Sequence, residues 1–200
     1  ALLVAIPRYP DADFPDIPGA LAEVDAFTAW LRAAKPDVEI DLCNTPERTT
    51  RRALEQTIDQ FVARAAGTTE EFYFYFAGHG VSFAAGTRQS LLLTAEFSQP
   101  RYSGACLLPL EQLREHLIRA LGPGRHFYFI NACRNPVDAA TLHPTNLGLV
   151  RQDFPTGIAD CAHTLFSSGD GEFAANNGAF SDALIAGLAG RHGTREFVDG

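Results

Sequence analysis

The sequence predicts an α/β protein with a mostly parallel central sheet and helices on both faces. Three observations carry that prediction. Short apolar runs alternate along the chain with longer stretches whose apolar residues recur at helical spacing. One run, Phe72–Ala77, is apolar on both faces, as a central parallel strand should be, and His126–Asn131 nearly repeats it. Proline and glycine mark the joints between the segments.

Each element follows in order. Leu2–Ile6 reads as a buried first strand closed by Pro7, and the proline-rich loop "PRYPDADFPDIPG" comes next. Leu21, Val24, Phe27 and Leu31 recur at helical spacing, and that helix stops before Pro36. Val38–Leu42 is a second strand, followed by the cap and turn residues "NTPERTT". Leu54, Ile58, Phe61, Val62 and Ala65 mark an amphipathic helix that Gly67 ends. Phe72–Ala77 is the third strand, and Ser90–Thr94 a short strand or hairpin arm. Leu110–Leu121 is a helix with Leu113, Leu117 and Leu121 on one face, broken by "GPG". His126–Asn131 is the fourth strand, Asn135–Ala159 is irregular, and Thr164–Ser167 is the fifth strand. The loop "SGDGEFAANNG" and a helix over Phe180–Leu188 close the chain.

Two hundred residues, 46% of them hydrophobic, make one globular domain with a sizeable core. The net charge of -8 and the scattered basic residues argue against nucleic acid as a partner. No apolar run approaches the roughly 18 residues of a membrane span, and no signal peptide is visible. The chain starts at Ala1 and lacks methionine, so a piece excised from a longer protein is expected. Lys35 is the only lysine among many arginines and alanines, which suggests a bacterial source. Cys43, Cys106, Cys133 and Cys161 form no C-x-x-C pair, so no zinc site is expected, and reduced thiols in a cytoplasmic setting are.

Chemistry concentrates at two strand ends. "FYFYFAGHG" delivers His79 between Gly78 and Gly80, and "FYFINACRN" delivers Cys133. In parallel sheets ligands bind outside the carboxyl ends of the strands. A thiol becomes a nucleophile only with a base or positive field beside it, and it must be reachable. Glycines flanking a histidine permit close backbone approach, and their amides can stabilise an oxyanion. The backbone N–H groups of Gly80 and Cys133 are the expected donors. Cys43, Cys106 and Cys161 read as buried hydrophobes. His116, His126, His143, His163 and His192 read as ordinary satisfied side chains.

"AGHG" after an aromatic strand and "NACRN" after the next major strand resemble the caspase-like cysteine peptidases: caspases, metacaspases and their bacterial relatives. That family's signature keeps alanine before the cysteine and Arg, Gln or Gly after it, with a histidine about 50 residues upstream. "LLVAIPRYPDADFPDIPGALAEVDAF" resembles the first strand, loop and helix of bacterial members. "HTLFSSGDGEFAANNGAFSDALIAGL" resembles the strand after the catalytic cysteine, the specificity loop and the next helix. The resemblance spans nearly the whole chain. It implies a caspase-like three-layer sandwich and an endopeptidase whose nucleophile is Cys133 and whose proton shuttle is His79. It implies a protein or peptide substrate, no obligatory cofactor, and a regulatory domain or partner protein as a further expectation.

The resemblance also points to the pocket for the residue before the scissile bond, drawn from Arg8, Asn131, Ser168 and Asp170. Asn131 stands where caspases often carry Gln and metacaspases Asp, so no charge preference carries over there. Asp11, Asp13, Asp16, Asp170 and Glu172 outnumber Arg8, and charge complementarity then favours a basic substrate residue. Some metacaspases depend on calcium. Asp11, Asp13 and Asp16 are the acids that could hold it, but a solvated loop is the favoured reading for them. Any self-processing is expected to fall within Asn135–Ala159, with Arg151 the best candidate site. Two alternatives stay open: a catalytically silent caspase-like module that binds partners, and a different hydrolase on the same kind of sheet. The absence of G-x-S-x-G counts against the second.

Overall fold

The computed structural model describes residues 1–10, 13–85, 87–98, 103–137, 162–169, 171–172, 174 and 178–190. Five strands form a wholly parallel sheet: β1 (Leu2–Ala5), β2 (Asp41–Cys43), β3 (Glu71–Ala77), β7 (Arg125–Asn131) and β9 (Ala162–Phe166), in the order β2-β1-β3-β7-β9. Four shorter strands form a second sheet: β4 (Gly80–Ala85), β5 (Thr87–Leu93), β6 (Leu107–Pro109) and β8 (Asn135–Val137), in the order β6-β5-β4-β8. Four α-helices, α1 (Gly19–Ala34), α2 (Arg51–Ala65), α3 (Leu110–Leu121) and α4 (Ala179–Leu188), and two short 3-10 turns, Pro46–Arg48 and Ser103–Cys106, complete the described elements. The α/β architecture with helices on both faces is the one the sequence predicts.

The aromatic strands explain how both faces fill. Phe72, Phe74 and Phe76 point to one side, where Leu54, Ile58 and Phe61 of α2 and Leu113 and Leu117 of α3 pack against them. Tyr73, Tyr75 and Ala77 point to the other, against Val24, Phe27 and Leu31 of α1 and Leu184 of α4. Alternation along a strand sends neighbours to opposite faces, so a run that is apolar throughout needs a core on each side. Each fully buried ring contributes about 1.5–3 kcal/mol by its removal from water.

Local chemistry sets the helix ends. Thr50 caps α2 by accepting the Ala53 N–H at 3.2 Å, and the Glu96 side chain accepts the Arg51 N–H at 2.7 Å. The helix α3 ends at Gly122, whose φ of 90° and ψ of -159° suit glycine alone.

The two sheets meet at the strand ends, and their registers agree. The strands β3 and β7 pair with Ala77 opposite Asn131. The strands β4 and β8 pair, also in parallel, with Val81 opposite Asn135. The joining segments Gly78–Gly80 and Ala132–Arg134 are therefore equal in length and run side by side, with His79 at the level of Cys133.

Candidate active site

The two joining segments touch closely. Gly78 N–H donates to the Asn131 carbonyl at 3.2 Å. A Cβ added at Gly80 would lie 2.8 Å from the Cys133 carbonyl oxygen and 2.9 Å from the Ala132 Cβ. No side chain fits there, so glycine is what lets the histidine segment approach the cysteine segment.

His79 is buried, with 8% of its surface exposed. Its Nε2 lies 2.7 Å from the Pro15 carbonyl oxygen. A carbonyl only accepts, so Nε2 carries the proton and Nδ1 is left as the basic nitrogen of the neutral ring. Burial lowers the pKa of the imidazole, and the Pro15 carbonyl opposes that shift. The ring packs against Tyr9, centroids 4.8 Å apart, and edge-on against Phe14 at 5.3 Å.

Cys133 is half-buried, and its Sγ accepts the Ala174 N–H at 3.3 Å. The loop after β9 is fixed to the same segment. Arg134 N–H donates to the Glu172 carbonyl and Gly171 N–H donates to the Arg134 carbonyl, both at 3.1 Å. The Arg134 guanidinium stacks over the Phe166 ring at 4.1 Å. Cys43 and Cys106 are buried, and burial pushes both thiols up from their ordinary pKa. Cys161 lies outside the described residues.

The other residues singled out by the sequence occupy varied positions. Gly80, the expected oxyanion donor beside Cys133, opens β4 and stands opposite Leu92. Asn131 ends β7, and its side-chain amide donates to the Glu23 carboxylate of α1. The Ser168 hydroxyl is buried and donates to the Ala132 carbonyl at 3.0 Å, bracing the segment that carries Cys133. Arg8, Asp13 and Asp16 are exposed, while Asp11, Asp170 and Arg151 lie outside the described residues. Among the described residues, no three His, Cys, Asp or Glu side chains gather as a metal-ligand set. No described helix is long and apolar enough to cross a membrane.

Three participants were not singled out from sequence: Tyr9, the Pro15 carbonyl and Glu23. Glu23 had a readable signal, because it sits on the same helical stripe as Ala20 and Phe27, where a carboxylate is out of place. It is 4% exposed. Its Oε2 accepts from Asn131 and from the Tyr75 hydroxyl at 3.4 Å, while its Oε1 and the Asn131 Oδ1 are buried without partners. Burial raises the Glu23 pKa against the pull of these hydrogen bonds.

Comparison with known proteins bears on the fold and the family. The chain resembles a probable protease of a Desulfuromonadales bacterium, with 26% identity over 214 residues. That match covers 95% of this chain and 26% of the relative, so the chain spans about a quarter of that protein's length. Its fold is similar to the crystal structure of caspase-1 from Spodoptera frugiperda, with a TM-score of 0.67 at 14% identity, covering 94% of this chain and 69% of that one. The family model described as the caspase domain matches residues 1–197. With the sheet order, the two strand ends and a match along nearly its whole length in accord, the chain belongs to the caspase-domain family.

Proposed function

We propose that this domain is a cysteine endopeptidase in which Cys133 is the nucleophile and His79 the general base and acid. The observation that carries the reading is the shared register of the two sheets, which sets His79 at the level of Cys133. His79, kept neutral by burial and protonated at Nε2, takes the thiol proton on Nδ1. The thiolate attacks the substrate carbonyl carbon, and the amides of Gly80 and Cys133 hold the resulting oxyanion. The imidazolium, with Nε2–H still on the Pro15 carbonyl, gives its proton to the leaving amine. Water then attacks the thioester, with His79 accepting its proton, and frees the cysteine.

Substrates with a basic residue before the scissile bond fit this site. Glu23 Oε1, on α1, and Asn131 Oδ1, at the end of β7, are buried acceptors without a hydrogen-bond partner, and a guanidinium supplies several donors in a fixed fork. Burial favours the neutral form of Glu23, and a bound cation would favour its carboxylate.

A peptide library with each residue type before the scissile bond tests both parts. Cleavage is expected after Arg or Lys, abolished in Cys133→Ala and lowered at least ~10²-fold in His79→Ala. Full activity in Cys133→Ala would overturn the mechanism. Cleavage confined to Asp or Leu would overturn the specificity. No cleavage of any peptide, with four equally inert thiols, would favour the silent binding module.

A further inference from the structure

His79 is held by its main chain as well as by its ring, and the main-chain grip comes from a tyrosine in the loop after β1. Tyr9 Oη accepts the His79 N–H at 2.9 Å and donates to the Leu93 carbonyl at 3.3 Å. A phenol has one proton, so the direction of both bonds is fixed. Leu93 N–H in turn donates to the His79 carbonyl at 3.0 Å. The peptide groups on either side of His79 are thus bonded to two partners that are bonded to each other. Tyr9 Oη also lies 2.7 Å from where a Gly78 Cβ would be, so the glycine before the histidine makes room for the hydroxyl.

The same loop supplies the rest of the setting. Ile17 N–H donates to the Pro7 carbonyl at 2.8 Å and closes the loop on itself. Pro15 then meets the imidazole Nε2, and Phe14 packs between His79 and Phe97. Among these contacts Tyr9 is the one titratable partner of the imidazole. Burial pushes its phenol far above the ordinary value, so it stays protonated throughout the working range.

We infer that Tyr9 is a positioning residue: its hydroxyl, acting through the His79 peptide, sets the imidazole where Nε2 meets Pro15 and Nδ1 serves the nucleophile. The inference rests on the pairing of Cys133 with His79 proposed above. Removing the hydroxyl leaves a buried N–H and a buried carbonyl without their partner, while a phenyl ring keeps the packing.

The test is Tyr9→Phe, read by peptide cleavage and by the pH dependence of iodoacetamide alkylation at Cys133, with sites mapped by mass spectrometry. We expect kcat to fall about 5- to 10-fold with KM unchanged, the size of one hydrogen bond expressed after substrate binds. We also expect the alkylation midpoint to move to higher pH, since a displaced imidazole supports the thiolate less. The limiting rate at high pH should not change. Leu121→Ala, a core truncation in α3, should lower the melting temperature without moving the midpoint. A wild-type midpoint and kcat in Tyr9→Phe, with the midpoint moved in His79→Ala, would overturn the assignment of Tyr9 alone. An unmoved midpoint in His79→Ala would overturn the pairing itself, and the role of Tyr9 with it.

Discussion

At Glu23 the energetic balance differs from that of an ordinary surface carboxylate. Its folded-state pKa is raised by burial, so the native protein holds the proton more tightly than the unfolded chain. The stability this contributes is full below the unfolded value of about 4.3 and is lost as pH rises through the folded value. Glu23→Gln removes that dependence, and its melting temperature relative to wild type should therefore increase from pH 5 to pH 8. Thermal melts across that range check the sign; a constant difference would mean that Glu23 does not titrate as described. The same substitution should reduce kcat/KM for Arg peptides about 10- to 100-fold, the worth of one charge-assisted hydrogen bond, without slowing Cys133 alkylation. At this scale the sequence showed what stands out from its neighbours. His79 and Cys133 are legible because each interrupts an apolar strand at its end. The Pro15 carbonyl and Tyr9 are not, because a main-chain acceptor carries no sequence mark and Tyr9 becomes polar machinery only after the loop folds back on β3.

Among the elements, α3 was readable to the residue because Pro109 and Gly122 bracket one clear apolar face. At Gly122 the cost of a single added methyl group should be purely conformational. A Cβ there meets nothing within 4 Å, so Gly122→Ala tests backbone conformation alone. With φ at 90° and ψ at -159°, we expect a loss of about 1–3 kcal/mol. Denaturant titration measures it, and a neutral result would mean the turn relaxes freely. The apolar pattern predicts a strand over Val38–Leu42, whereas the structure has Asp41–Cys43, because pairing with Leu2–Val4 fixes this short strand more than its own pattern does. Of the hairpin β4–β5 the sequence displays only Ser90–Thr94, and Pro136 makes β8 look like irregular chain. Short strands such as β8 exist through their partners, and proline is tolerated where a strand edge needs no donor.

For the molecule as a whole, the sheet order puts the most protected strands beside the chemistry. The strands β3 and β7 lie inside the five-stranded sheet, between helices on both faces, whereas β9 pairs with β7 and exposes 43% of Leu165. Local opening should spare the first two and admit water to the third. Hydrogen exchange should therefore be slowest at the amides of Tyr73–Phe76 and Phe127–Ile130 and clearly faster at His163–Leu165. Equal protection across all three strands would show that β9 is covered in solution. The overall architecture was legible because it depends on alternation and length, which the chain displays openly. The second sheet was not, because it is assembled from short pieces far apart in sequence.

The equal length of Gly78–Gly80 and Ala132–Arg134 has a consequence for how this domain can vary. Each segment is clamped at both ends by a paired strand, so an added or deleted residue in one cannot be absorbed by slack. It would rotate the nucleophile or the base to the opposite side of its chain while both sheets kept their pairing. Side chains around the site can be exchanged one at a time, but the spacing within these two segments can change only if both change together.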